Sequence, residues 1–218
     1  MRFLNEKQFK FSLLAVALLV VIVTLSIKVV VPPKQTLELK EDISIISSTI
    51  VSKYDAKEWA KGRGATDEFI KLADLYWKLC EKRGKVNPAL AYVQSAKETN
   101  FGKFTGVLDA SYHNPCGLKT EQGGGDKEPS AHKRFETWEE GVTAHLDHLA
   151  LYAGANEYPK EETPDPRHFS TIHGKAVTAV ALGGKWAPDA AYGEEVMILY
   201  NDLIKEAAKS GLSLADIF

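Results

Sequence analysis

Sixteen residues, Asn87 to Gly102, leave the backbone little choice: Asn-Pro-Ala-Leu-Ala-Tyr-Val-Gln-Ser-Ala-Lys-Glu-Thr-Asn-Phe-Gly. Asn87 is a good helix N-cap, and Pro88 suits the first helical position, where its missing N–H would be unpaired anyway. Gly102 offers a stop. Between them Ala89, Val93 and Ala96 recur at helical spacing, while Gln94 and Glu98 lie four residues apart on another face. Glu98 therefore falls in the last turn, where the negative end of the helix dipole disfavours a carboxylate. With Tyr92 and Phe101 excluding water, both effects are expected to raise its pKa. A carboxyl that stays protonated near neutral pH is what a general acid requires. The ordinary alternative is a solvated surface glutamate, and the rest of the chain decides between them.

Upstream, Phe11 to Ile27 is a run of seventeen residues without a charge. At 1.5 Å per residue it spans roughly 25 Å as a helix, and roughly 30 Å if continued through Val29-Val30-Val31. Lys28, inside that extension, can snorkel to the headgroups. Arg2, Lys7 and Lys10 precede the run, which places the N-terminus in the cytoplasm and the remainder outside. No Ala-x-Ala cleavage site follows, so a retained anchor is favoured over a cleaved signal peptide. Pro32-Pro33 ends the span. The chain thus divides into a cytoplasmic N-terminus with a transmembrane signal anchor (1–31), an extracytoplasmic stalk (32–63) and a folded domain (64–218), with Gly62-Arg63-Gly64 at the last boundary. A formal net charge of -2 with no basic field excludes nucleic acid as a natural partner.

The domain has room for one core. Thr66 or Asp67 can cap a helix to about Arg83, with Phe69, Ala73, Tyr76 or Trp77, and Cys80 inward. After the Glu98 helix comes a loop from Lys103 to Pro115. Gly117 to Thr120 and Ala131 to Glu136 then read as the strands of a hairpin tipped by Gly123-Gly-Gly125. Thr137-Trp-Glu-Glu140 is a capping box, and Trp138, Val142, Leu146 and Leu149 continue a helical stripe. Lys175 to Leu182 reads as a short helix. Asp189 caps the last one, with Tyr192, Val196, Leu199 and Leu203 in register. The expected class is α+β, predominantly α. Cys80 and Cys116 suit either a disulfide or two buried thiols.

Four segments resemble a known family, the bacterial glucosaminidases of glycoside hydrolase family 73. Lys97-Glu-Thr-Asn-Phe-Gly102 is similar to its Glu-Ser/Thr-x-Trp/Phe-Gly segment. His113-Asn-Pro-Cys-Gly-Leu-Lys119 resembles its Asn-Asn-Leu-Phe-Gly-Ile-Lys. Phe135-Glu-Thr-Trp-Glu-Glu140 resembles its Tyr-Asp-Ser-Trp-Glu-Glu, and Lys185-Trp-Ala-Pro-Asp-Ala-Ala-Tyr192 its Gly-Tyr-Ala-Thr-Asp-Pro-Asn-Tyr. The motifs occur in the family's order and cover most of residues 65–208. The resemblance implies a lysozyme-like fold and cleavage of peptidoglycan after N-acetylglucosamine. It puts Glu98 at the catalytic acid and Tyr192 at a tyrosine lining the cleft. The family also carries a second acidic residue on the hairpin. Glu121, Asp126 and Glu128 are all available here, and Glu128 ranks first because it follows the glycine tip. Pro115 and Cys116 depart from the family's Leu and Phe.

The chemistry fits the residues independently. Glycoside cleavage needs a proton for the leaving oxygen and something to offset oxocarbenium charge. Glu98 can supply the first. A hairpin carboxylate can activate water, or the substrate's own N-acetyl group can attack instead. Substrate contacts are expected from Tyr192, Asn114, Phe101, Gln94, Trp186 and Lys119. Trp186 and Tyr192 fit a sugar platform and a core anchor equally well, and Asn114 fits an acetamido partner or a turn former. Of six histidines, His145 and His148 share one helix, but no metal-ligand spacing is familiar, so neither cofactor nor metal is expected. The rival readings are a lytic transglycosylase using the same Glu98, an inactive wall-binding module, and a zinc amidase.

Overall fold

A computed structural model describes residues 39–215. The expected anchor and the first residues of the expected stalk lie outside them. Among the described residues no helix is long and apolar enough to cross a membrane. They form five α-helices: α1 (Lys53–Gly62), α2 (Asp67–Leu79), α3 (Pro88–Thr99), α4 (Trp138–Ala153) and α5 (Tyr192–Ala215), joined by loops with short 3-10 turns.

Helix α3 is the axis. Every residue from Pro88 to Ala96 is buried, so the single apolar stripe expected from sequence is in fact a helix enclosed on all sides. The other four helices pack around it. The Asn87 side chain accepts from Ala89 N at 3.0 Å and Leu90 N at 3.1 Å, capping the first turn from which Pro88 removes one donor. The stop is not Gly102. Asn100 and Phe101 take the left-handed conformation, with φ of 48° and 58°, one and two residues after Thr99; Asn tolerates it well. Gly102, with φ of 78°, serves a close approach instead. A Cβ there would stand 2.4 Å from Thr66 Oγ1 and 2.7 Å from Phe69 Cβ, at the start of α2.

Tyr92 of α3 is the hub of the aromatic core. Its ring stacks on Phe69 with centroids 4.8 Å apart and meets Tyr76, Trp59 and Trp77 edge-on. Truncating one such ring costs about 3–5 kcal/mol, a large share of a domain's total of about 5–15 kcal/mol. Cys80 and Cys116 are buried free thiols.

Three expectations about boundaries and elements change. Residues from Ile43 onward are not stalk but part of the packed domain. Ile45, Val51, Ala56, Trp59 and Ala60 are buried in the same core as α3. Ile45 donates from its N–H to Val177 O at 3.0 Å and accepts from Asn87 N at 2.8 Å. Trp59 Nε1 donates to Asp202 Oδ2 on α5 at 2.9 Å. Alternation over Ile43 to Ile46 was too short to betray a strand-like segment pairing on both edges. The hairpin, in turn, is a single antiparallel bridge, Lys119 with His132, flanked by Thr120 N→Ala131 O and Lys133 N→Leu118 O. Pro129 withholds a ladder donor and opens a 3-10 turn, Pro129–Ala131, in place of strand. Lys175 to Leu182 is extended where it pairs with Ile43 and Ile45, and only Val180–Leu182 turns.

Candidate active site

Glu98 stands one residue from the end of α3, in the last turn. Its side chain is reached by solvent, yet protein closes densely around the carboxyl. Burial therefore raises its pKa. The Tyr192 hydroxyl, the Lys97 charge and the Trp186 side chain pull it back without cancelling the rise. The combination of a desolvated carboxyl and an open path to it suits proton donation.

Tyr192, the first residue of α5, is buried and donates its hydroxyl proton to Glu98 Oε1. Asp189 shapes this entry into α5 by accepting from Ala191 N at 2.9 Å. Burial and the adjacent Glu98 push the Tyr192 phenol far above its ordinary range, so it remains a donor. Lys97 lies over the Tyr192 ring, 5.3 Å from its centroid, and pairs with Glu195 at 2.5 Å, tying α3 to α5 beside the site. Trp186, half-buried, packs on His145, His148 and Tyr152 with centroids 5.5, 5.1 and 6.1 Å away. It is a core anchor whose side chain also favours the Glu98 carboxylate.

The remaining expected substrate residues separate. Gln94 is fully buried; it does not face the cleft but joins Tyr192 to His145. Its Nε2 donates to the Tyr192 hydroxyl oxygen at 2.9 Å, and its Oε1 is 3.1 Å from His145 Nε2. Asn114 is also fully buried, and both ends of its amide are spent on backbone. Nδ2 donates to Leu118 O and Lys133 O, while Oδ1 accepts from Leu118 N and Cys116 N. It folds the loop rather than holding an acetamido group. That loop sits hard on α4: a Cβ at Gly141 would lie 1.9 Å from His113 O. Phe101 packs against Trp59 and Phe69. Lys119 binds Gly124 O at 2.5 Å and Asp126 at 2.6 Å, bracing the glycine tip.

Of the hairpin carboxylates, Asp126 is exposed and held below its ordinary pKa by Lys119. Glu128 is exposed, and its carboxylate lies against Gly124 and Gly125. Glu121 is exposed, and its carbonyl accepts from Arg167.

Two polar groups lie behind the site, built on the two helix histidines that the sequence suggested only as weak metal-ligand candidates. His145 is fully buried on α4, with Nδ1 2.7 Å from the Tyr76 hydroxyl. Burial pushes its pKa down to about 3, with His148 adding to the effect and Asp165 opposing it. The signal was available: His145 falls within the Val142, Leu146, Leu149 stripe, and a polar side chain in such a stripe must find partners. The second group centres on buried Asp165, whose Oδ2 meets His148 Nδ1 at 2.8 Å and His168 Nδ1 at 3.0 Å. Burial would raise the Asp165 pKa, but the two histidines outweigh it and hold it at about 2. Among the described residues no three His, Cys, Asp or Glu side chains are arranged to hold a metal ion.

Residues 73–205 match the family described as glucosaminidase, mannosyl-glycoprotein endo-beta-N-acetylglucosaminidase. An uncharacterized protein of Borreliella burgdorferi is 31% identical over 120 residues, which cover 55% of this chain and 56% of that protein. The chain thus spans little more than half the length of that relative. No solved structure matches it.

Proposed function

Because the chain belongs to the glucosaminidase family of glycoside hydrolases, we propose that it hydrolyses the glycan backbone of peptidoglycan after N-acetylglucosamine, on a lysozyme-like domain. The observation that carries this reading is Glu98: a carboxyl with raised pKa, open to solvent and held by Tyr192. Protonated Glu98 gives its proton to the glycosidic oxygen as the C1–O bond breaks, and the leaving sugar departs as an alcohol. Water then adds at C1, and its proton passes to a carboxylate. Glu128 is the hairpin carboxylate best suited to that second role, since Asp126 is occupied by Lys119. Tyr192 holds Glu98 from behind, and half-buried Trp186 is the aromatic beside it best suited to meet a sugar ring. A tether through residues 1–31 would hold the domain on the outer face of the cytoplasmic membrane, within reach of the wall.

Mass spectrometry of digested peptidoglycan tests the reading. Reducing-end N-acetylglucosamine is the expected product. Anhydro-muramic acid would assign a lytic transglycosylase, free peptide an amidase, and intact wall a binding module. N-terminal sequencing of protein from its native membrane tests the tether: a start after Ser26 would remove it.

A further inference from the structure

Four helices each contribute to one buried line of polar groups behind Glu98. Tyr76 comes from α2, His145 from α4, Gln94 from α3 and Tyr192 from α5, and the line ends on Glu98 Oε1. Tyr76, Gln94 and His145 are fully enclosed, so the groups between Tyr76 and Tyr192 have only each other.

Counting protons orients the line. Tyr192 has one hydroxyl proton, and the structure gives it to Glu98. The Tyr192 oxygen must then accept, and the donor is Gln94 Nε2. That turns Gln94 Oε1 toward His145, whose Nε2 must carry a proton to meet it. A neutral imidazole has one N–H, which leaves Nδ1 bare, and the Tyr76 hydroxyl donates to it. Every bond points the same way, toward Glu98. The opposite sense closes only if Glu98 spends its own proton on the Tyr192 oxygen, and it puts the His145 proton on Nδ1 instead of Nε2. A charged His145 would present two donors and turn the Tyr76 hydroxyl from donor to acceptor. Burial keeps it neutral.

We infer that His145 is a positioning residue for Glu98, acting through Gln94 and Tyr192. Its Nε2–H tautomer fixes the direction of the line, reserves Oε1 as an acceptor and leaves the Glu98 proton on Oε2. The line thereby presents an acid with its proton on one defined oxygen. The use of that proton in glycoside cleavage rests on the proposed function; its location does not. The ionisable groups facing the line are Tyr92 and Cys116 beside Tyr76, His148 and Asp165 beside His145, and Lys97 beside Glu98.

The first test uses the full chain labelled with ¹⁵N-histidine, His145 being assigned by the signal lost in His145→Gln. The expected spectrum shows a protonated Nε2 and a bare Nδ1, unchanged from pH 7 to pH 5. An Nδ1–H tautomer, or titration above pH 5, overturns the inference, whether or not the protein proves to be a hydrolase. The second test is the pH profile of kcat. The line stabilises the Glu98 carboxylate, so breaking it raises the pKa of Glu98. His145→Phe and Gln94→Leu should move the alkaline limb upward by about 0.3 to 1 unit with KM unchanged. His145→Gln, whose amide can still donate toward Gln94, should restore the wild-type limb. Superimposable profiles in all variants overturn the inference. The wild-type spectrum decides even if His145→Phe fails to fold.

Discussion

Tyr192 reaches Glu98 across 94 residues of chain and donates its hydroxyl proton to Oε1. The contact pins the last turn of α3 to the first residue of α5, and it lowers the very pKa that burial raises. The acid is thus set between two opposed effects, each removable by a single substitution.

Glu98→Gln is expected to abolish wall hydrolysis and leave the fold intact. Glutamine keeps the shape and accepts from Tyr192, but it has no proton to transfer, so the loss should reach at least about 10²–10⁴-fold. Thermal melting should be unchanged or slightly higher, because a neutral amide avoids the cost of a desolvated carboxylate. Activity within about tenfold of wild type would remove Glu98 from the role of acid.

Tyr192→Phe should shift the pH dependence in a definite direction. The lost hydrogen bond favoured the carboxylate, so the Glu98 pKa rises. A general acid works while protonated and fails above its pKa, so the alkaline limb of kcat/KM should move upward, by up to about one unit. A downward shift would contradict the geometry.

Acid should destabilise the domain from near neutrality downward. The pKa of His145 is depressed to about 3 in the folded state, against 6.5 for the free side chain. The unfolded chain therefore binds more protons between those values. Stability is full above pH 6.5 and falls toward pH 3, by on the order of a few kcal/mol. Asp165, held near 2, adds a second loss as pH falls below about 4. Thermal melting across pH 3–8 should show both, and His145→Gln should flatten the first.

Gly102→Ala should cost about 1–3 kcal/mol, since the added Cβ meets Thr66 and Phe69 and φ is left-handed. Chemical denaturation measures it. An unchanged midpoint would mean that the turn after α3 relaxes freely.

Glu128→Gln should lower kcat by about tenfold or more, while Asp126→Asn, whose partner is Lys119, should have little effect. Full activity in Glu128→Gln, with loss in Glu121→Gln, would move the second role to Glu121.

The helices were legible because their signals are local. Asn87-Pro88, Thr66 and Thr137 cap where capping chemistry places them, and the placement of Glu98 in the last turn of α3 followed from those few residues. What was illegible depends on burial and distance. Gln94 and Asn114 read as polar side chains free for a sugar, but enclosure spends them on Tyr192, His145 and loop backbone. His145 finds Tyr76 and Gln94 69 and 51 residues away, separations that no periodicity encodes. The short segment at Ile45 was lost for the same reason, since both of its pairing partners lie far along the chain.

That segment has a mechanical consequence. Ile45 is gripped on one side by Val177 and on the other by Asn87, the cap of α3. Upstream of it, Lys40 exchanges two hydrogen bonds with Asn201 of α5 and Asp42 accepts from Val180 N. Tension applied from the N-terminal side would load α5 first and only then the root of the helix that ends in Glu98, so both helices that carry the Glu98–Tyr192 contact share the load.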